Sequence, residues 1–157
     1  MNKYFLVLTL TGFLLSGCSS NKDYLPAEFF GLKLTNVKVD DEAANFVNKL
    51  HLKTVSSSKN KIGFYEGKTG RAVIYLSMYD EANPAISAAK KMIAKLKNDK
   101  TPFVDGEFII INDEAVYICF GMGQTHFIFV RDDILFWVSV DNYFAKRFLA
   151  DYLDYIS

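Results

Sequence analysis

The chain has 157 residues, of which half are hydrophobic and 15% are aromatic, and its 18 Lys and Arg residues balance 18 Asp and Glu residues. This length and apolar content predict one folded domain with a substantial hydrophobic core. The zero net charge gives no reason to expect nucleic acid as a partner, and it provides no polybasic patch for binding a membrane surface.

The first predicted element is a secretory leader. Lys3 is the only charged residue before an apolar run over residues 4–15, and the run ends in Leu-Ser-Gly-Cys at residues 15–18. A basic start, a short apolar segment and small residues at its end are typical of a cleaved signal peptide. A membrane-spanning helix needs about 20 apolar residues, so this shorter run is not predicted to span a membrane.

Leu-Ser-Gly-Cys at residues 15–18 resembles the lipobox of bacterial lipoproteins. The resemblance implies cleavage between Gly17 and Cys18, with diacylglycerol on the Cys18 sulfur and a fatty acid such as palmitate on its new amino group. Two or three acyl chains would hold the protein stably on a membrane. Ser19 replaces the Asp that favours inner-membrane retention, which implies the periplasmic face of the outer membrane in a Gram-negative cell. In a Gram-positive cell the signal implies the outer face of the cell membrane.

The leader sets the predicted domain boundaries. Residues 1–17 are the lipoprotein signal peptide, residues 18–27 a lipidated tether and residues 28–157 a single α+β domain. A plain signal peptide with an incidental cysteine, or an uncleaved anchor, are the alternatives for the leader. A short polar tether reaches less than about 30 Å, so the domain is expected to lie close to the membrane.

Three helices and a series of strands are predicted within the domain. Acidic residues at 40–42 suit the positive end of a helix dipole, and the residues after them have helical apolar spacing. Asn83 and Pro84 begin a second helix, over 83–97, because Asn caps a helix and Pro suits its first position. The predicted strands are 61–66, 71–79, 107–111, 115–121, 124–131 and 134–140, with 52–57 as a further candidate and a last helix over 142–156.

These elements predict an α+β fold, in which an antiparallel sheet of about six strands has helices packed on at least one face. Short polar turns, such as the glycine-bearing turn at 66–70, force neighbouring strands to run antiparallel. A strand-strand-helix order occurs twice, over about 62–97 and 126–156, and an internal repeat or chance similarity would explain it.

The C-terminal strands predict that both faces of the sheet are covered. Residues 127–130 and 135–138 are apolar at every position, whereas a sheet with one wet face alternates apolar and polar residues. We expect the helices at 83–97 and 142–156 to cover one face. The first helix, a second subunit or a bound apolar ligand would cover the other.

His126 and Trp137 are candidate pocket or interface residues. His126 follows a glycine-flanked turn at 121–123, which places it to line a pocket at the end of the sheet; a hydrogen-bonded strand histidine is the simpler interpretation. Trp137 lies in an apolar strand, where it is either core or exposed interface. Neither His126 nor His51 has partners at metal-ligand spacing, and no catalytic motif is recognisable. The sequence therefore predicts no catalytic, cofactor-binding or metal residue.

Two further features have structural interpretations. Cys119 lies in an apolar, strand-like run, which predicts a buried thiol, and it has no disulfide partner if Cys18 is acylated. Residues 63–69, Gly-Phe-Tyr-Glu-Gly-Lys-Thr, are one residue short of a phosphate-binding loop and lie between strands. They therefore predict a hairpin.

The predicted function is that of a non-enzymatic accessory or binding module anchored in the bacterial cell envelope. The alternatives are a carrier or chaperone for a lipid or other apolar ligand and, third, an envelope enzyme without a recognisable motif. The expected partners are the membrane, through lipid on Cys18, a protein or an apolar ligand, and a second copy in a homodimer. No cofactor is predicted.

Overall fold

The computed structural model describes residues 23–51 and 59–157. The predicted lipobox, with Gly17 and Cys18, and the candidate strand at 52–57 lie outside the described residues. In the described part of the chain, no helix is both long enough and apolar enough to cross a membrane.

The described residues form one antiparallel sheet of eight strands with three helices. The elements are β1 (Glu28–Phe29), β2 (Leu32–Val39), α1 (Asp40–His51), β3 (Lys59–Gly67), β4 (Gly70–Met78), α2 (Ala82–Asn98), β5 (Val104–Ile111), β6 (Glu114–Gly121), β7 (Gln124–Arg131), β8 (Ile134–Asp141) and α3 (Ala145–Tyr155). The strand order across the sheet is β1-β2-β3-β4-β8-β7-β6-β5. The α+β class and the antiparallel sheet are confirmed, but the sheet has eight strands rather than about six.

The unpredicted strand β2 accounts for much of this difference. Its sequence alternates apolar and polar residues as far as Leu34 and resumes the alternation one position late, at Val37. A β-bulge between Leu34 and Asn36 absorbs the additional residue. Leu34 lies opposite Tyr65 and Val37 opposite Gly63, so both apolar side chains return to the same sheet face. The bulge therefore interrupts the pattern in sequence while preserving it in space.

Helices cover both faces of the sheet, in an arrangement that differs from the predicted one. α3 and residues 24–30 pack on one face, the α3 face, and form the larger core. α2 packs on the other face, and α1 joins it there because the Phe46 ring lies 6.5 Å from that of Tyr75. The expectation that the helices at 83–97 and 142–156 share one face is wrong. Apolar periodicity identifies the buried stripe of a helix but not which sheet face that stripe covers.

The strand-strand-helix order recurs along the chain without a matching arrangement in space. β4 and β8 are antiparallel neighbours at the centre of the sheet. A two-fold axis relating the two units would therefore be perpendicular to the sheet and would place both following helices on one face. Since α2 and α3 pack on opposite faces, the fold does not support an internal repeat.

The segment before β1 belongs to the packed structure. Leu25 is buried in the core of the α3 face. The Tyr65 hydroxyl donates to the Pro26 carbonyl at 3.0 Å, and the Tyr152 hydroxyl donates to the Tyr24 carbonyl at 2.7 Å. The C-terminal part of the predicted tether is therefore fixed on the domain.

Candidate functional site

A cavity of about 140 Å³ opens on the face that α1 and α2 cover, the α1–α2 face, and we refer to it as the central cavity. Its floor lies on β4 and β8, where Tyr75 is directly opposite Trp137 and Ser77 is directly opposite Leu135. α2 reaches β7 and β8 whereas α1 reaches β2 and β3, so the two helices leave the central strands partly uncovered between them. The cavity is therefore a gap in helix packing over the centre of the sheet.

The walls of the central cavity come from four separate parts of the chain. Val47 belongs to α1 and Met92 to α2, Phe103 to the connection between α2 and β5, and Met122 to the turn between β6 and β7. All four side chains are apolar, and two are methionines, which adapt readily to differently shaped occupants.

The structure brings His126 and Trp137, the two residues singled out from the sequence, into this one cavity. A role for them in binding stays a prediction. The wall residues Val47, Met92 and Phe103 were not predicted. Their only sequence signal is apolar character, which core residues share, so only the tertiary fold identifies them as neighbours of His126.

His126 is held in one protonation state by its hydrogen bonds. The Trp137 indole N–H donates to His126 Nδ1 at 3.0 Å, and Ser139 Oγ lies 2.8 Å from the same nitrogen. Since an indole N–H can only donate, Nδ1 is the acceptor and the proton lies on Nε2. Nε2 then donates to the Gly121 carbonyl at 2.9 Å. Burial lowers the pKa of His126, against a smaller opposing effect of the Gly121 carbonyl, so the ring is neutral at pH 7.

Phe103 covers this hydrogen-bonded group from the outside. Its ring makes edge contacts with His126 at 4.8 Å and with Trp137 at 5.4 Å between centroids. A side chain at Gly121 would place its Cβ 2.6 Å from the Phe103 ring and 2.7 Å from the Pro102 carbonyl oxygen. Glycine at 121 therefore allows the α2–β5 connection to lie close against the β6–β7 turn and close one side of the cavity.

The central cavity presents a neutral surface. None of the described residues that line it is an acid, a lysine or an arginine, and His126 is uncharged. Burial raises the pKa of Tyr75 to about 12 and also raises that of Tyr79, so both hydroxyls remain protonated. An occupant therefore meets aromatic and aliphatic surface with a few neutral hydrogen-bonding groups, which disfavours a charged ligand.

The volume limits the occupant to a small group. A dry engineered cavity of about 150 Å³ holds one benzene molecule, whereas pockets for drug-sized ligands measure about 300–1,000 Å³. At about 140 Å³ the central cavity matches one ring or one apolar side chain. It would not enclose a whole acyl chain.

The proximity of Ser139 to His126 is suggestive of a nucleophile and its base, but the surroundings do not suit catalysis. The Nδ1 lone pair also accepts the Trp137 N–H, and Nε2 faces a backbone carbonyl rather than a carboxylate. A general base works best with a pKa near the operating pH, whereas burial lowers that of His126. The arrangement favours a structural role for His126 and Ser139 as fixed parts of the cavity wall.

Cys119 and residues 63–69 do not line this cavity, although Cys119 lies directly opposite His126 on β6. Cys119 is buried, as predicted, and burial raises the pKa of its thiol to about 11, which disfavours the reactive thiolate. Residues 63–69 form the end of β3 and its turn to β4, so the predicted hairpin is confirmed. In the described ranges, no group of three His, Cys, Asp or Glu side chains could hold a metal ion.

Comparison with known proteins identifies a related fold and no family. No protein-family model and no curated protein matches the chain. The chain is similar to the crystal structure of a GTP binding regulator from Thermotoga maritima, with a TM-score of 0.52 and 17% sequence identity, covering 83% of this chain and 81% of that chain. At this identity the similarity shows the fold alone.

Proposed function

We propose that this protein is a lipid-anchored envelope lipoprotein whose domain is a non-enzymatic binding module, and that the central cavity receives one neutral apolar side chain or ring of a partner. The observation that carries the proposal is the cavity itself, whose floor and walls are mainly aromatic and aliphatic while its described lining is uncharged. Interfaces between proteins commonly depend on a few such anchor side chains, each inserted in a well-packed pocket.

The leader supports the envelope location through its resemblance to the lipobox at residues 15–18. Because Tyr24 and Leu25 are packed on the domain, the chain from Cys18 to Asp23 is the only connection between the lipid and the fold. Fully extended, this segment reaches less than about 20 Å. The domain would therefore stay beside the membrane and meet partners that are membrane-bound or close to the membrane.

The anchor is tested with the two cysteines. Cys18→Ser should abolish labelling of the protein by an alkyne analogue of palmitate. Cys119→Ser is the matched control, since it removes a buried thiol and should retain labelling. A Cys18→Ser variant that is still labelled would contradict the lipoprotein proposal.

The cavity is tested by the fluorescence of Trp137, the single tryptophan of the chain. The Cys18→Ser mature protein, without the leader, retains every described contact and avoids detergent. Toluene, a phenylalanine side-chain analogue, should change the Trp137 emission saturably, whereas benzoate should not, because its charge is unfavourable in a neutral cavity. No response to toluene, or an equal response to benzoate, would contradict the proposed binding site.

The carrier function is a second candidate, and one observation favours it. A separate cavity of about 230 Å³ lies on the α3 face, between the Asp23–Leu25 segment and the exposed ends of β2–β4. Its lining combines apolar residues, among them Leu25, Val37 and Met78, with the charged Asp23 and Lys61, and its volume would enclose only part of an acyl chain. Retention of a fatty acid through native mass spectrometry of the Cys18→Ser protein, and its loss in Met78→Lys, would support this candidate. An empty protein would count against it.

A further inference from the structure

The two edges of the sheet differ in length and exposure. One edge is β1, which has only two residues, whereas the other is β5, which has eight. Among the described strands, β5 pairs only with β6. An edge strand carries a row of backbone N–H and C=O groups directed away from its neighbour, and these groups can pair with another strand.

β5 also carries the most exposed apolar side chains of the sheet. Phe108 is 60% exposed and Ile110 is 69% exposed. Being two positions apart, they lie on the same face, and Phe108 is directly opposite Tyr117 of the α1–α2 face. Lys97 of α2 lies 5.6 Å from the Phe108 ring and covers only part of it. Exposed aromatic and aliphatic residues on a long edge are a favourable surface for strand pairing.

A bulge limits the length of β5 that can pair. The register with β6 shifts between Val104 and Glu107, and it is continuous only from Glu107 to Ile111. The bulged part cannot extend a regular ladder. The regular stretch of five residues has Ile109 at its centre.

We infer that β5 pairs with β5 of a second copy of this chain, antiparallel and with the two-fold axis at Ile109. Residues opposite each other in an antiparallel pair point to the same face, so this register places Phe108 of one copy against Ile110 of the other. Glu107 lies opposite Ile111, so no two like charges oppose each other in the ladder. The same stretch is thus complementary to itself, as a two-fold interface requires. The inference does not depend on the occupant of the central cavity.

Cysteine cross-linking of the full chain in cell membranes tests this register. Directly opposite Cβ atoms lie about 4.5–5.5 Å apart, close to disulfide range, whereas diagonal neighbours lie about 7–8 Å apart. Ile109→Cys is opposite itself across the axis, so mild oxidation should give a covalent dimer. Ile110→Cys is the matched control, since position 110 is more exposed but is opposite position 108. We expect at least about tenfold less dimer from Ile110→Cys, and none from the wild-type protein.

A second combination keeps the register testable if Ile109→Cys fails to accumulate. Phe108→Cys and Ile110→Cys, expressed together with different tags, should cross-link to each other and not to themselves. Equal cross-linking at 109 and 110 would indicate random collision and overturn the inference. Absence of dimer in every combination would also overturn it. An adduct with another protein would show that β5 takes a foreign strand instead of a second copy.

Discussion

The two faces of the sheet use the same strands for different purposes. Among the described residues, twenty buried hydrophobic residues form one continuous cluster on the α3 face, whereas the buried cluster of the α1–α2 face has six. The α1–α2 face also holds the hydrogen-bonded group of His126, Trp137 and Ser139, together with the central cavity. The α3 face is built for stability. The α1–α2 face is less densely packed and has a concave, partly polar surface. Binding is expected on this face.

The largest loss of stability is expected at Phe136 of β8, and a smaller one at its neighbour Trp137. Phe136 is fully buried on the α3 face, stacked on Phe129 at 4.7 Å and in edge contact with Tyr24 at 5.7 Å. Phe136→Ala should lower the free energy of unfolding by about 3–5 kcal/mol, because it leaves a cavity in a packed core. Urea unfolding followed by circular dichroism measures this, with exposed Tyr143→Ala as a control that should change stability by less than about 0.5 kcal/mol.

Substitution of Trp137, the next residue of β8, should lower the free energy of unfolding less. Trp137→Phe removes the N–H that donates to His126 but leaves Ser139 close to the same nitrogen. The expected loss is about 1–3 kcal/mol, smaller than that of Phe136→Ala, because the side chain already borders a cavity. The same urea unfolding measures it. A loss equal to or larger than that of Phe136→Ala would remove the distinction between the two faces.

The smallest expected effect is a pH dependence specific to the α1–α2 face. Burial lowers the pKa of His126 from the value of about 6.5 expected in the unfolded chain. Below about pH 6.5 the unfolded state binds a proton that the folded state does not, so the free energy of unfolding falls as the pH falls. The slope is at most about 1.4 kcal/mol per pH unit.

His126→Gln isolates this effect from the other titrating groups. Between about pH 7 and pH 5.5 the variant should lose less stability than the wild-type protein, because it no longer contains the group that titrates in this window. His51 and the carboxylates are common to both proteins and cancel in the difference. Parallel pH curves would show that His126 does not have a lowered pKa.

The hairpins could be predicted from the sequence, whereas strand β2 and the placement of the helices on the sheet could not. The β3–β4 hairpin and the three C-terminal hairpins are recognisable because each turn is short and contains polar residues or glycine, and their strands agree with the structure to within a few residues. β2 was missed because its bulge shifts the alternation after Leu34. The expectation that α2 and α3 share one face was wrong, since the face that a helix covers depends on the path of the connections and not on the apolar stripe.

The candidate site was only partly recognisable for a related reason. His126 and Trp137 stand out as rare residue types in apolar strands, and the structure places them 3.0 Å apart through Nδ1 and Nε1. Val47, Met92 and Phe103 approach them from three other parts of the fold. Their sequence pattern is that of ordinary core residues. The sequence does not reveal the cavity, because the gap between α1 and α2 arises from tertiary packing.

If the gap between α1 and α2 is a binding cavity, filling it should prevent binding. Val47→Phe adds volume inside the cavity, whereas Ile86→Phe adds a ring on α2 at a position that is 40% exposed and outside the cavity. Toluene is titrated against both variants while Trp137 emission is recorded. Val47→Phe should bind toluene at least about tenfold more weakly, a loss of about 1.4 kcal/mol or more, and Ile86→Phe should bind it as the wild-type protein does. Binding of toluene to Val47→Phe with wild-type affinity would contradict the proposed binding site.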